Sequence, residues 1–303
     1  AIAELAIDDG EIVRNGRASG LDFWMLATRI DFDRPITDRD LGARPVLDDV
    51  GATAQREDLP IKLSGRGFLH DLVFDGMQHA RVLRAPRWGA RLVSIDEAKV
   101  AGNDSVRCIR NGDIFAVVAE NEGIAIKALA RAQRVAIWEG GKAVDDDAGA
   151  PHWLMAQPSQ ERISEIGAPA LTNLQTTTIE ATFGRPFLAH ASIGPSCALA
   201  RYADGRLTVW THSQGVFPLR ASIAKALHFD PSAIRVIHRQ GAGCYGHNGA
   251  DDAAFDAAFI AVQCPDAHIR VLWSREDEMS AAPIGAAMAT RICATVDASG
   301  RPL

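Results

Sequence analysis

The pattern of apolar and polar residues divides the chain into two structured regions joined by polar segments. In the first region, residues 58–140, short apolar stretches alternate with turn residues, as expected for the strands of a small sheet. A helix is predicted over residues 122–132, where Ile124, Ile126 and Leu129 recur at helical spacing. The predicted strands cover residues 69–74, 77–83, 90–95, 106–110, 114–119 and 135–138.

The second region, residues 176–303, carries the most distinctive stretch of the chain. Four glycines, Gly241, Gly243, Gly246 and Gly249, lie between an apolar run and an alanine-rich helical pattern. Glycines at such a junction let the backbone approach another molecule closely. A separate helix is predicted from Pro218 to about Leu227, and the predicted strands cover residues 176–183, 207–212, 233–238, 269–273 and 291–296.

Two polar segments complete the expected domain organisation. Residues 1–57 are predicted to form a lead-in and connector with a short helix within residues 20–30, and residues 141–175 to form a linker. We therefore expect an α+β fold, with a small α/β domain over residues 58–140 and the first part of a mixed α/β domain over residues 176–303. The turn at residues 297–300 follows a strand whose returning partner is missing, so we expect an N-terminal piece of a larger protein.

Composition narrows the class of function. The 303 residues are 47% hydrophobic and 23% charged, as in a globular protein, and the net charge is -6. Because no basic block is present, we expect no nucleic-acid partner, and no apolar stretch is long enough for a transmembrane segment. The five cysteines form no Cys-x-x-Cys pair, which argues against a local iron–sulfur or zinc site.

The glycine stretch by itself allows several interpretations. Free amides at the start of the following helix favour an anionic group, although Asp251 and Asp252 are able to cap the same amides. The spacing Gly-x-Gly-x-x-Gly fits a dinucleotide fingerprint, for which the acidic residue would lie near Asp266. Cys244 with a histidine is a candidate nucleophile and base, in a cysteine-dependent hydrolase, but no orienting Asn or Asp is identifiable; the candidate bases are His247, His212 and His190.

Motifs in both regions occur in the order and spacing of one family. The first region carries three, at residues 59–67, 79–86 and 112–119, and the second carries three more, at residues 190–198, 211–214 and 241–246. The first three resemble the hammerhead domain of the molybdenum hydroxylases, the family of xanthine dehydrogenase and aldehyde oxidase large subunits. The other three are similar to the start of its molybdopterin-binding region. Details of the sequence, including the segment from Gly10 to Ala27 before the first region, resemble the bacterial nicotinate and isoquinoline dehydrogenase branch.

The resemblance implies an oxidoreductase that hydroxylates an N-heteroaromatic ring or an aldehyde with oxygen from water. The implied cofactor is molybdenum held by molybdopterin cytosine dinucleotide, and the electrons would pass to [2Fe–2S] clusters on a small partner subunit. Cytochrome c or a flavin is the implied final acceptor, and the remainder of the molybdopterin subunit is a further implied partner. Whether this chain alone retains the cofactor, and whether it works in the bacterial cytoplasm or periplasm, stays open.

The resemblance also implies roles for individual residues. Gln214 would donate a hydrogen bond to the terminal oxygen ligand of the molybdenum, whereas spacing alone favours a polar residue at a strand end. Residues of the glycine stretch would present backbone amides to the cofactor, with glycines at its two ends for the tight turn; the cofactor-binding set is Gln214, Gly241, Ala242, Gly243, Cys244, Tyr245 and Gly246. Tyr245 and Asn248 would face the substrate. No residue is expected to ligate the metal directly.

The sequence departs from the family pattern inside the glycine stretch. Cys244 replaces the usual Phe and Tyr245 a usual Gly, while His247 and Asn248 replace a basic and a frequently acidic residue. The catalytic base of the family, a glutamate, would lie beyond Leu303, so no catalytic residue is expected in this chain and the chain alone is expected to be inactive. A non-catalytic scaffold domain is the alternative from another class of function.

Overall fold

A computed structural model of the chain describes residues 5–31, 33–35, 51, 53, 55–103, 105–167, 175–241, 243–246 and 252–302. The chain forms two compact units, Ala1–Arg56 and Glu57–Leu303. Among the helices of the described residues, none is both long and apolar enough to cross a bilayer.

The smaller unit is an antiparallel three-stranded meander followed by one short helix. Its elements are β1 (Leu5–Asp8), β2 (Glu11–Arg14), β3 (Arg17–Asp22) and α1 (Phe23–Ala27). The helix predicted within residues 20–30 forms only over α1, because Asp22 ends the strand and caps the helix by accepting from Met25 N at 2.7 Å. Several apolar side chains of this unit are exposed, and Trp24 is 83% exposed.

The larger unit is built on a mixed seven-stranded sheet. Its strand order is β12-β11-β10-β13-β4-β7-β6, with parallel pairing at β11–β12 and β13–β4 and antiparallel pairing elsewhere. Two two-stranded sheets, β5–β8 and β9–β14, complete the unit. The strands are β4 (Gln78–Leu83), β5 (Trp88–Ser94), β6 (Arg107–Asn111), β7 (Ile114–Ala119), β8 (Ile137–Lys142), β9 (Thr176–Arg185), β10 (Cys197–Ala203), β11 (Arg206–Thr211), β12 (Ile234–His238), β13 (His268–Leu272) and β14 (Met288–Asp297).

Helices cover the sheet where its strands are apolar. The alanine-rich α7 packs on β10, β11 and β13, and its buried alanines let the helix approach the sheet closely. On the opposite face α3 and α4 pack near β4 and β7 around the fully buried Phe115. The helices are α2 (Leu59–Leu63), α3 (Glu97–Ala101), α4 (Glu122–Val135), α5 (Pro151–Met155), α6 (Val216–Leu227), α7 (Asp252–Gln263) and α8 (Arg275–Ala281).

Strands from both predicted regions belong to the same sheet. The parallel pair β13–β4 joins them, with Ile269 opposite Gln78 and Val271 opposite Ala80. The apolar side chains of both regions therefore share one core cluster, which includes Val82 and Val209. The division of residues 58–303 into two domains and a linker stays a prediction. The seven-stranded sheet contains strands from both sides of that division.

Most of the helices and strands that short apolar patterns predict are present in the structure. The sequence predicts a hairpin of β6 and β7 closed at Asn111-Gly112; the hairpin forms, but its turn is Gly112-Asp113, because Asn111 still pairs with Ile114. Asp96 caps α3, as its position before the helix predicts, by accepting from Lys99 N at 3.1 Å. The strand predicted over residues 69–74 is wrong: Leu69–Asp71 forms a single 3-10 turn, closed by a hydrogen bond from Phe68 N to the Asp71 carboxylate at 3.0 Å. The central strand β10 and the helix α8 were not predicted.

The partner of the last strand also differs from the expectation. β14 pairs antiparallel with β9 along ten residues, from Met288 opposite Arg185 to Asp297 opposite Thr176. The strand before the turn at residues 297–300 therefore has a partner, from the start of the same region. The predicted turn is confirmed, since it brings Pro302 opposite Val296 in an isolated antiparallel bridge. The expectation of an unpaired strand is wrong, because a pairing over more than a hundred residues of sequence leaves no local pattern.

The buried carboxylate of Asp256 links the two regions by hydrogen bonds, and its contribution to stability can be measured. Asp256 of α7 is 8% exposed, pairs with the Arg84 guanidinium after β4, and accepts from Trp273 Nε1 after β13 at 2.9 Å. The Arg84 guanidinium also lies 4.5 Å from the centre of the Trp273 ring. We predict that Asp256→Ala lowers the free energy of unfolding by about 2–3 kcal/mol, since both donors lose their acceptor.

Chemical denaturation measures this loss. Glu180→Ala, which removes the partner of Arg291 in an exposed ion pair at 2.5 Å, is the matched control and should cost less than about 1 kcal/mol. Equal effects of the two substitutions would contradict the assigned role of Asp256.

His268 makes stability depend on pH. Burial, followed by the nearby Arg201 guanidinium, lowers the pKa of the His268 imidazole below its ordinary value. The unfolded chain therefore binds this proton more readily than the folded chain, so the free energy of unfolding should fall as the pH drops below about 6.5. We predict a shallower pH profile for His268→Gln in denaturation experiments, and a partly shallower one for Arg201→Gln. Identical profiles for the wild type and His268→Gln would contradict this.

Candidate functional site

The site is built where two parallel strands end at the same edge of the sheet. Thr211 at the end of β11 lies opposite His238 at the end of β12. Beyond the strands the chains remain joined: Arg239 N donates to the Thr211 carbonyl at 2.8 Å, and His238 Nδ1 donates to the Ser213 carbonyl at 3.0 Å. Loops at the carboxyl ends of parallel strands form a crevice that commonly binds ligands.

The loop after β11 buries three residues and exposes the fourth. Thr211, His212 and Ser213 are 0%, 4% and 1% exposed, whereas Gln214 is exposed. Hydroxyl groups fix the turn, since Ser213 N donates to Thr211 Oγ1 at 3.1 Å and Gly215 N to Ser213 Oγ at 3.2 Å. This geometry holds the backbone on both sides of Gln214 while its amide side chain stays accessible.

The His212 ring lies directly against the backbone of Gly241. A methyl carbon placed on Gly241 would lie 2.6 Å from His212 Nδ1 and 2.8 Å from His212 Cγ, which is too close for a side chain. Gly241 is outside the left-handed region, so the requirement for glycine here is space rather than the tight turn expected from the sequence. The packing brings the glycine stretch next to the loop that carries Gln214.

Left-handed backbone conformations shape the rest of the glycine stretch. Gly243 and Gly246 have φ values of 116° and 96°, and Tyr245 has a φ of 58°. The Tyr245 ring folds back over Gly243, with its hydroxyl 3.2 Å from the position of a Gly243 Cβ. A left-handed conformation is uncommon for any residue other than glycine, so Tyr245 occupies an unfavourable backbone position.

A third loop, residues 190–196, closes this end of the site. The Ile193 amide nitrogen lies 3.4 Å from the position of a Gly243 Cβ. Ser192 is 1% exposed, and its Oγ has no hydrogen-bond partner among the residues described. Cys197 N, where β10 begins, donates to His212 Nε2 at 3.4 Å. The buried His212 therefore links the three loops: it belongs to the first, packs against Gly241 of the glycine stretch, and bonds to Cys197, which follows the third.

The 3-10 turn at Leu69–Asp71 supports two of the loops from behind. Leu69 N donates to the Gln240 carbonyl at 2.8 Å, and His70 Nε2 donates to the Pro195 carbonyl at 2.8 Å. The His70 and His212 rings meet edge to face, with their centres 6.1 Å apart. A segment of the first region thus fixes the base of the glycine stretch and the third loop.

The structure brings most of the candidate cofactor-binding residues to this one edge. Gln214 lies on one loop, and Gly241, Gly243, Cys244, Tyr245 and Gly246 lie on the neighbouring one. Ala242, Asn248 and the candidate base His247 lie outside the described residues. Sequence reasoning missed the structural roles of His212 and Ser192, although both stand inside motifs that it singled out. The sequence does carry a signal from which the missed helix α8 could be predicted: Ser274 and Asp277 have the spacing of a capping box, which they form at the helix start.

The geometry also bears on the alternative interpretations of the glycine stretch. β13 runs in the same direction as β11, because each is antiparallel to β10. Asp266 precedes β13 and therefore lies at the opposite edge of the sheet from the glycine stretch, where it does not serve a dinucleotide fingerprint. His212 is buried and accepts from Cys197 N, so its Nε2 is not available as a base for Cys244. No cluster of three metal-binding side chains occurs among the described residues.

Comparisons with known proteins identify the family. The model of the molybdopterin cofactor-binding domain matches residues 158–303, which contain all three loops of the site. A nicotinate dehydrogenase subunit of Pseudomonas putida is 33% identical over 98% of this chain. The chain belongs to the molybdenum hydroxylases. The beta subunit of isoquinoline 1-oxidoreductase from Brevundimonas diminuta is 24% identical over 82% of the chain.

A solved structure supports the fold of this molybdenum hydroxylase chain. Quinoline 2-oxidoreductase from Pseudomonas putida superimposes with a TM-score of 0.65 over 84% of this chain and 38% of its own, at 20% identity. The present chain spans only part of its relatives, 26% of the nicotinate dehydrogenase subunit and 33% of the isoquinoline 1-oxidoreductase subunit. The expected mixed α/β character of the fold is confirmed at this level.

The contact between Gly241 and His212 yields a prediction for stability. Gly241→Ala inserts a methyl group where no space exists, so the loop or the ring has to move, and the free energy of unfolding should fall by about 2 kcal/mol. Gly215→Ala is the matched control, because its methyl carbon would have an ordinary contact of 3.7 Å with Pro218, and it should cost less than about 1 kcal/mol. Chemical denaturation of the two variants under the same conditions measures both losses. Equal losses would contradict the steric requirement for glycine at residue 241.

Proposed function

We propose that this chain forms one wall of the cofactor site in a molybdopterin-dependent hydroxylase that acts on an N-heteroaromatic ring. The observation that carries the proposal is the convergence of three loops around His212, with the exposed Gln214 on one and the glycine stretch on another. The similarity to the nicotinate dehydrogenase subunit supports a ring of the nicotinate or isoquinoline type rather than an aldehyde.

The residues present fit a bound pterin cofactor. The backbone at Gly241 lies too close to the His212 ring for any side chain, and Gly243 has a φ of 116° that other residues rarely adopt, so peptide groups rather than side chains are presented at both positions. The buried Ser192 Oγ, without a partner among the described residues, is the kind of polar atom that a bound group satisfies. Neutral amides and hydroxyls suit an anionic cofactor because they donate hydrogen bonds without adding charge.

The overall reaction converts a ring C–H group and water into a ring C–OH group, two protons and two electrons. The molybdenum cofactor, when bound, supplies the acceptor for the electron pair and activates the water-derived oxygen. In this chain, Gln214 Nε2 would donate a hydrogen bond to the terminal oxygen ligand of the metal. The amides of residues 242–245 would hold the cofactor, and Tyr245 and Asn248 would contact the ring.

The finer parts of the assignment are proposals of the same kind. The cofactor would be the cytosine dinucleotide form, and the electrons would pass to [2Fe–2S] clusters of a small partner subunit and then to cytochrome c or a flavin. Residues 58–140 would correspond to the hammerhead domain, residues 1–57 to a lead-in, residues 141–175 to a linker and residues 176–303 to the first part of the molybdopterin-binding domain. The base would come from parts of the subunit outside these residues, so the isolated chain would not turn over.

The experiment is to purify the complete subunit that contains this chain, with its electron-accepting partner, from a bacterial host that makes the cofactor. Molybdenum and released cytosine nucleotide are measured, and activity is assayed with nicotinate, isoquinoline and an aromatic aldehyde in oxygen-18 water. We predict bound molybdenum, label in the ring product, and a fall in kcat of about 100-fold for Gln214→Ala with unchanged molybdenum content.

Gln157→Ala is the matched control, since Gln157 is exposed and its side-chain amide donates to the Trp153 carbonyl of the neighbouring α5. It should change neither kcat nor molybdenum content. A purified subunit without molybdenum would support the scaffold alternative instead. Full activity of Gln214→Ala would remove Gln214 from the proposed site while leaving the family assignment in place.

A further inference from the structure

The loop at residues 190–196 adopts a conformation that its own residues do not favour. Ala191 has a φ of 48°, in the left-handed region that non-glycine residues rarely occupy. Ser192 buries a hydroxyl group without a partner among the described residues. Such features persist only where the surrounding structure fixes them. The surroundings that do so here belong to α8, which neither the family motifs nor the proposed function includes.

Arg275, the first residue of α8, holds the near end of this loop. Its Nη1 donates to the Ser192 carbonyl and its Nη2 to the Ile193 carbonyl, each at 2.8 Å. A guanidinium that bonds two successive carbonyls fixes the orientation of the peptide as well as its position. The start of the helix is itself fixed by the capping box, in which Ser274 and Asp277 exchange hydrogen bonds of 3.0 Å.

Glu278, one helical turn further along α8, holds the far end. The side chain is 2% exposed and its Oε2 accepts from Ser196 N at 2.8 Å. Trp273 N, just before α8, donates to the Ser196 carbonyl at 2.9 Å. Arg275 and Glu278 are three residues apart and so share one face of the helix. One face of α8 therefore holds the loop at both ends.

The loop held in this way contacts the glycine stretch. The amide nitrogen of Ile193, whose carbonyl bonds to Arg275, lies 3.4 Å from the position of a Gly243 Cβ. A shift of the Ser192–Ile193 peptide would therefore move the backbone that faces Gly243. The hydrogen bonds from α8 therefore act on the glycine stretch through the Ser192–Ile193 peptide.

We propose that Arg275 and Glu278 are positioning residues that hold the 190–196 loop against Gly243 and thereby keep the crevice at the width that retains the cofactor. They act through backbone contacts and touch neither cofactor nor substrate. The identity of the retained group rests on the proposed function, whereas the coupling between α8 and the glycine stretch is a property of this chain alone.

Hydrogen–deuterium exchange of the full 303-residue chain tests the coupling without cofactor. Arg275→Lys keeps the charge but loses the two-carbonyl geometry, and Glu278→Gln keeps the shape but loses the charge. In Arg275→Lys we expect the amides of residues 192–197 and also of residues 243–246 to exchange about tenfold faster, with β4 and β7 unchanged. Glu278→Gln should change both segments in the same direction but less. Arg291→Gln, in an exposed pair with Glu180, is the control and should change neither.

Faster exchange confined to α8 and residues 192–197 would overturn the proposal, because the coupling to the glycine stretch would be absent. Unchanged β4 and β7 amides show that the variants remain folded.

A second measurement separates this proposal from the proposed function. The complete subunit is loaded with cofactor and passed through repeated gel filtration, and the molybdenum that remains is measured. We expect Arg275→Lys to lose molybdenum several times faster than the wild type and Arg291→Gln to match the wild type. Equal retention in Arg275→Lys would overturn the proposed effect on the cofactor. A wild type that never holds molybdenum would overturn the proposed function, while the exchange result would still decide the coupling.

Discussion

The arrangement of the site depends on the packing of the His212 ring against the backbone of Gly241. A histidine that is 4% exposed fills the space where any side chain at residue 241 would lie, so this close approach of the two loops requires glycine at residue 241. The same ring accepts a hydrogen bond from Cys197 N and meets the His70 ring edge to face. One buried side chain therefore sets the distances between the loop of Gln214, the glycine stretch and the start of β10.

This contact is possible because the two regions of the chain share one sheet. β4 pairs with β13, and the segment before β4 supplies the turn at residues 69–71 that bonds to Gln240 and Pro195. Asp256 adds a tie on the other face, where it accepts from both Arg84 and Trp273. The first region therefore supports loops of the second through both backbone pairing and side-chain hydrogen bonds.

The structure shows what one departure from the family pattern, Tyr245, does to the backbone of the glycine stretch. Tyr245 occupies a left-handed conformation with its ring over Gly243, so this exposed aromatic residue covers the backbone of Gly243. A ring at that position changes the shape of the crevice mouth without adding charge. Tyr245, which is 59% exposed, is therefore the aromatic side chain that the described part of the glycine stretch presents to solvent.

The sequence by itself determined the elements whose signals are local. The hairpin of β6 and β7, the cap at Asp96 and the glycine stretch between β12 and α7 follow from a few adjacent residues, and motif order was sufficient to identify the family. The tertiary structure decided what depends on contacts distant in sequence. The pairing of β14 with β9, the turn at Leu69–Asp71, the packing of His212 on Gly241 and the hold of Arg275 on Ser192 each join segments whose separation leaves no periodicity to read. Local propensity selects helices, strands and turns, whereas burial and hydrogen bonding across the fold select which of them meet.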